Sequence, residues 1–491
     1  MQIYVYTCIF SKLFVLILFN ASIEGMLIEN FRCHFTEPGE FNIVLICIRL
    51  EFAAFPALQY LRISKSQRML YLRRSCFLVL AFILVAIHVR AQDTVQHVIP
   101  DRHNSIANQR KRYVILISAD GFRADLADKY NATNLLRLRA QGVEADYMQS
   151  SFPSLTFPNH YTIATGLYPS HHGLVDNSFY DENRKVAYIR KNKQIALDGS
   201  WYGGTPVWVL AEQQQMVSAS YYWVGSECAI QNTYPTYYYD YSEKIGIDAR
   251  LQTVKNWLQL PEDKRPHLIT FYFPEVDHAE HKYGPESKET EAAVHFVDES
   301  VAKMYQMVSA LNLPVNFIFV SDHGMTTIDN DKAIESPRAV DTSKFIVLPG
   351  TALLHLYAKD KKEVLPTYEN LKKEAVGYDV YLTSKTPKRW HYRKKDDKYD
   401  RIGDIILVPH LPGFFNITAK VHTELGEHGF DPALPEMHAT FYAWGPDFKQ
   451  GKKIGHFENV NVYPLIARIL GLHYDKHFID GNIKTLKKIL K

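Results

Sequence analysis

Unbroken apolar runs alternate along this chain with stretches whose apolar residues recur every three or four positions. The run Tyr113-Val114-Ile115-Leu116-Ile117-Ser118 has no polar alternation, which marks a strand covered on both faces. Comparable runs fall at 268–273, 315–320, 345–348 and 405–408. Between them, 134–140, 249–260 and 289–311 carry helical spacing, and Gly142 stops the first of these. Strand and helix in alternation predict an α/β fold, a central mostly parallel sheet flanked by helices on both faces. A further helix is expected from Thr156, with Pro158 in its first turn and Gly166 at its end. Residues 350–403 are rich in basic residues and tyrosine and are expected to form a hairpin-bearing insert with solvated charges.

The N-terminal pattern differs. Met69 opens a basic stretch, an apolar run from Cys76 to Val89, and the small-residue exit Arg90-Ala91-Gln92-Asp93. That order reads as a secretory signal peptide over 69–91. The run is shorter than the ~20 residues a spanning helix needs, so no transmembrane anchor is expected once the signal is removed. Residues 1–68 show no domain-like pattern and are expected to be an extension ahead of the true start. Residues 92–109 read as a flexible tail, and 110–491 as one catalytic domain. The expected location is outside the cell membrane, periplasmic or extracellular.

Composition narrows the picture slightly. The chain has 491 residues, 46% hydrophobic and 22% charged, an ordinary globular balance. A net charge of +3 argues against a stable nucleic-acid partner. Of the cysteines only Cys228 lies beyond the leader, so the exported protein is expected to rely on its core without an internal disulfide. The triplets Asn131-Ala132-Thr133 and Asn416-Ile417-Thr418 match the glycosylation pattern.

Candidate chemistry sits at the strand ends. Asp120 follows the first run, Asp277 the second, and Asp322 with His323 the third. In open α/β sheets the carboxyl ends of strands form the ligand crevice, so these groups are expected on one rim. Asp277 and His281 are four apart, within reach of one ion, and Gly426-Glu427-His428-Gly429 adds another imidazole. Carboxylate and imidazole ligands without thiolate suit catalytic zinc. Thr156 opens its helix where unpaired N–H groups and the dipole favour a phosphate. A threonine hydroxyl needs a base or a metal to become a nucleophile.

Taken together these motifs resemble the nucleotide pyrophosphatase/phosphodiesterase family of the alkaline phosphatase superfamily. The matching stretches are Ser118-Ala119-Asp120-Gly121-Phe122-Arg123, Thr156-Phe157-Pro158-Asn159-His160-Tyr161, Thr165-Gly166-Leu167-Tyr168-Pro169, and His172-Gly173-Leu174-Val175-Asp176-Asn177. Asp277 with His281, Ser321-Asp322-His323-Gly324-Met325 and His428-Gly429 complete them. The resemblance implies an alkaline-phosphatase-like fold and two Zn2+ per chain. One would be held by Asp120, Thr156, Asp322 and His323, the other by Asp277, His281 and His428. Thr156 would be the nucleophile, passing through a phospho-threonine intermediate. The Phe157 N–H and the Asn177 side chain would cradle a phosphate oxygen, and Phe157 and Tyr241 would stack on a nucleobase.

The implied activity is hydrolysis of nucleotide phosphodiester or pyrophosphate bonds, releasing nucleoside 5'-monophosphates from small-molecule substrates, by a monomer. Some nucleotide-cleaving members carry lysines where this chain has Leu155 and Ser178. That departure keeps a second reading open, a lysophospholipid or choline phosphodiesterase. A third, an inactive secreted binding protein, is disfavoured because every candidate ligand is present.

Overall fold

In the computed structural model, residues 13–18, 42–47, 94–418 and 421–491 are described. Residues 1–90 and 91–491 are separate units. In the first, Leu13–Leu18 and Asn42–Cys47 pair as parallel strands. The expected leader at 69–91 lies outside the described residues.

The second unit is built on a nine-stranded sheet. Its strands are β1 (Gln96–Val98), β2 (Tyr113–Ala119), β3 (Val143–Ala145), β4 (Ser218–Tyr221) and β5 (Tyr237–Tyr239). They continue as β6 (Leu268–Phe273), β7 (Val315–Val320), β8 (Phe441–Trp444) and β9 (Lys452–Ile454). The order across the sheet is β9-β3-β8-β7-β2-β6-β4-β5-β1. The five strands from β7 to β5 run parallel, with Val315 opposite Tyr113 and Leu268 opposite Val114. β8 and β1 run antiparallel to their inner neighbours.

The helices named below are α1 (Thr133–Ala140), α2 (Thr156–Thr165), α3 (Val207–Gln213), α4 (Ile247–Leu258), α5 (Glu275–Tyr283), α6 (Lys288–Ser309) and α7 (Val462–Leu470). The surroundings of β2 explain why its sequence is almost wholly apolar. Val114 and Leu116 join a core with residues of α2, α3 and α7. Ile115 and Ile117 join the opposite core, with residues of α1, α4 and α6. Successive side chains of a strand point to opposite faces, so a sheet covered on both sides favours apolar residues at every position, and the polar Ser118 is matched, its Oγ 2.9 Å from His160 Nε2. Leu116 is fully buried, and such a side chain contributes about 2 kcal/mol. A mixed, mostly parallel sheet with helices on both faces agrees with the sequence reading.

Two of the apolar runs do not join this sheet. Phe345–Val347 and Ile405–Pro409 belong to a separate antiparallel sheet with Leu354–Ala358 and Tyr378–Leu382. The loop between Phe345–Val347 and Leu354–Ala358 is too short for a parallel crossover, so the chain must reverse there. These strands are apolar on both faces for their own reason. Leu354, Leu371, Ile405 and Leu407 form a local core, while Ile406 and Val408 pack into the main one.

The insert's charges are not all solvated, against expectation. Arg401 is 1% exposed; its Nε donates to Asp181 Oδ2 at 2.9 Å and its Nη1 to the carbonyls of Gly173 and Trp201 at 2.8 Å. A guanidinium tolerates burial when its donors are matched in this way. The described part of the stretch expected as a tail supplies the edge strand β1. There Asn104, 1% exposed, donates through Nδ2 to the carbonyls of Glu262 and Arg265.

Candidate active site

β6, β2 and β7 are adjacent and parallel, so their carboxyl ends share one rim. Asp120 follows β2, Asp322 and His323 follow β7, and Asp277 and His281 sit on α5 after β6. Gly121, at φ +71°, permits the approach of β2's end to α5. A Cβ there would lie 3.1 Å from the Cα of Asp277.

Thr156 is the first residue of α2, and Gly166 closes that helix in the left-handed conformation at φ 69°. The Asn159 side chain secures the preceding loop. Its Nδ2 donates to the carbonyls of Pro153 and Leu155, and its Oδ1 accepts from Ser151 N–H at 2.7 Å. Thr156, 8% exposed, places Oγ1 3.3 Å from His323 Nε2.

The expected ligands converge. Donor atoms of Asp120, Asp322 and His323 lie within 4.8 Å of one another, as do those of Asp277, His323 and His428, and those of His281, Glu427 and His428. His323 and His428 stack at 3.6 Å between ring centres, so the two expected ligand sets meet there.

The donor set fits metal ions on two counts. First, each of the three histidines has Nδ1 against a backbone carbonyl: His281 against Gly426, His323 against Gly324 and His428 against Ser154, at 2.9–3.0 Å. A carbonyl only accepts, so Nδ1 carries the proton and Nε2 presents its lone pair. Second, those Nε2 atoms face carboxylate oxygens: His281 and His428 face Asp277 Oδ1 at 3.4 and 3.6 Å, and His323 faces Asp322 Oδ2 at 2.9 Å and Asp120 Oδ1 at 3.4 Å. Asp120 Oδ1, Asp277 Oδ1 and Asp322 Oδ2 are buried without a hydrogen-bond partner. Lone pair against anion is repulsive unless a proton or a cation lies between them.

The acid–base behaviour of the cluster follows. Burial and the nearby Asp322 and Asp277 push the Asp120 carboxyl well above the carboxylate range. Burial opposes ionisation of Asp322 too, but His160 and His323 pull it well below. Burial disfavours charge on His281 and His323, yet Asp277 raises the first to about 11 and Asp322 the second to about 9. Burial and His323 hold His428 well below its usual value.

The expected substrate contacts line a cleft of about 1090 Å³ together with Thr156, Asp120, Asp277, His281 and His428. The Phe157 N–H and Asn177, expected to share a phosphate oxygen, are bonded to each other, N–H to Oδ1 at 3.1 Å. The Arg190 guanidinium lies 5.9 Å from the Phe157 ring centre. Tyr241 is 37% exposed, its N–H donating to Glu227 Oε1 and its hydroxyl to Glu243 Oε1.

Sequence reasoning missed the supporting residues. Tyr272 donates its hydroxyl to Asp120 Oδ2 at 2.5 Å. His160 donates from Nδ1 to the Thr156 carbonyl at 3.0 Å, and its Nε2 lies 2.9 Å from Ser118 Oγ. His160 stood inside the threonine motif, four residues after Thr156, and that spacing could have found it. Tyr272 looks like any apolar strand residue. Cys228 is buried as a free thiol.

Residues 114–431 match the family Type I phosphodiesterase / nucleotide pyrophosphatase. The chain belongs to that family of hydrolases, within the alkaline phosphatase superfamily. It is 34% identical over 392 residues to venom phosphodiesterase CdcPDE of Crotalus durissus collilineatus, covering 77% of this chain and 46% of that protein. It is 35% identical over 364 residues to bis(5'-adenosyl)-triphosphatase ENPP4 of Bos taurus, covering 73% and 78%. The chain spans about half the length of the venom relatives it matches. Among solved structures, murine ectonucleotide pyrophosphatase / phosphodiesterase 5 superposes with a TM-score of 0.72 at 27% identity, covering 77% of this chain and 100% of that one. An inactive form of that protein, solved in complex with AMP, gives the same score.

Proposed function

We propose that the protein hydrolyses nucleotide phosphodiester or pyrophosphate bonds, with Thr156 as nucleophile, and releases nucleoside 5'-monophosphates. The observation that carries this reading is the Thr156 hydroxyl, 3.3 Å from His323 Nε2 where two buried His/Asp clusters meet. Asp120, Thr156, Asp322 and His323 would hold one Zn2+, and Asp277, His281 and His428 the other. When bound, the two ions supply positive charge to the phosphoryl oxygens and lower the pKa of the threonine hydroxyl.

The chain's own residues do the rest. α2 points its N-terminal N–H groups toward the phosphate it receives. Thr156, its hydroxyl proton lost to solvent, attacks phosphorus in line through Oγ1, the phosphorus–oxygen bond to the leaving group breaks, and that alcohol or phosphate departs with the bonding pair. Water then attacks the phospho-threonine diester, breaks its Oγ1–phosphorus bond and frees the nucleoside 5'-monophosphate and the threonine hydroxyl. The Asn177 amide, held through its oxygen by the Phe157 N–H, orients a donor toward a phosphoryl oxygen as charge develops there. Tyr272 and the three backbone carbonyls fix the orientation of the ligands.

The aromatic pair Phe157 and Tyr241 on the cleft supports a nucleotide, because flat rings offer stacking to a base. The AMP complex of the murine relative points the same way. We infer that the protein acts outside the cell membrane, from the leader-like stretch at 69–91. A substrate pair tests the function. Turnover of the p-nitrophenyl ester of thymidine 5'-monophosphate far above that of p-nitrophenylphosphorylcholine is expected. The reverse preference overturns the nucleotide reading.

A further inference from the structure

We propose that His422, Glu424 and Glu427 form a third divalent-cation site on the same cleft, beside the Asp277–His281–His428 group. The proposal rests on the phosphodiesterase reading and adds the substrate class served, nucleotides bearing more than one phosphate.

Donor atoms of the three residues lie within 4.8 Å of one another, and all three line the cleft. One imidazole with two carboxylates suits a zinc-class ion with positions left open to a ligand.

His422 supplies an independent sign of a missing partner. Its Nε2 is shielded from solvent and has no hydrogen-bond partner. The ring rests on Phe414 at 4.4 Å between centres, so the imidazole is held in place. Nε2 stands 3.9 Å from Glu424 Oε2, beyond hydrogen-bond range. Two donors each ~2.1 Å from a tetrahedral ion are separated by about 3.4 Å, close to that spacing.

The carboxylates are arranged to match. Glu427 is 4% exposed; its backbone is fixed by pairing with Thr326, and its Oε1 accepts from the His428 N–H at 3.1 Å. Glu424 Oε2 is 3.7 Å from His281 Nδ1, whose proton is directed to the Gly426 carbonyl. Two carboxylates on a cleft that receives an anionic ester would repel it. A cation between them reverses the sign of the field at that edge and offers open positions to the oxygens of a further phosphate.

The test uses the full-length secreted protein, stripped with chelator and titrated with Zn2+ by calorimetry and elemental analysis, in parallel with His422→Ala. The expected result is one ion fewer per chain in the variant, with its melting temperature without metal unchanged. KM for ATP should rise about tenfold while kcat/KM for the thymidine p-nitrophenyl ester stays within about twofold. Equal stoichiometry in the wild type, His422→Ala and His422→Ala/Glu424→Ala overturns the third site. The stoichiometric difference decides this proposal, whereas fewer than two ions left in His422→Ala would count against the paired-ion reading. The double variant His422→Ala/Glu424→Ala repeats the comparison; an ion lost there but not in the single variant would overturn the role given to His422.

Discussion

The Tyr272 hydroxyl donates to Asp120 Oδ2 at 2.5 Å, leaving Oδ1 of the same carboxylate without a partner. One oxygen is thus fixed by the protein while the other faces His323. Burial and the Asp120 charge keep the Tyr272 hydroxyl protonated, well above its usual pKa, so it stays a donor. Tyr272→Phe removes the donor and little volume. Loss of such a supporting bond costs roughly 10–100-fold in metal affinity or activity. Competition with a zinc chelator should show this while the melting temperature without metal holds. Unchanged affinity would mean that Asp120 needs no orientation.

Stacking is tested by substrate pairs. Tyr241→Ala should lower kcat/KM for the thymidine 5'-monophosphate ester by about 10–100-fold, mostly through KM, and leave bis(p-nitrophenyl) phosphate, which has no base, within about threefold. Equal losses on both would assign Tyr241 to the scaffold of the cleft.

Glu227 gives a pH dependence. Burial raises its carboxyl to about 7, against the opposing Tyr241 N–H, whereas a glutamate in an unfolded chain titrates near 4.3. The folded state therefore binds that proton more tightly. Its contribution to stability is full below about pH 4.3 and is lost as pH rises through about 7. Glu227→Gln keeps an acceptor for Tyr241 and removes the loss. The melting temperature of the variant relative to wild type should climb between about pH 4.3 and 7 and level off above. A flat difference would contradict the assignment.

Arg401 ties the insert to the main domain through Asp181 and two carbonyls. Arg401→Met leaves the Asp181 carboxylate, 2% exposed, without its buried partner. Breaking one side of a buried pair costs about 3–5 kcal/mol. Denaturant unfolding should show a loss of that order, and a change under about 1 kcal/mol would mean that Asp181 finds a substitute.

Much of this was legible in the residues. A strand covered on both faces is mostly apolar without alternation, so β2, β6 and β7 announced themselves, and with them the rim where Asp120, Asp277, Asp322 and His323 sit. The runs at 345–348 and 405–408 look the same but belong elsewhere, because apolarity records burial and not which sheet buries it. Arg401 was read as solvated because a basic stretch does not reveal Asp181, far away in sequence. Tyr272 was invisible for a related reason: a hydroxyl at a strand's end declares itself only when Asp120 is brought opposite.

The account depends most on Thr156. The direct measurement is hydrolysis of the thymidine p-nitrophenyl ester by wild type and Thr156→Ala side by side, with matched melting temperatures. The account predicts turnover by the wild type and none above the uncatalysed background in the variant. Turnover by Thr156→Ala within about tenfold of wild type would contradict it.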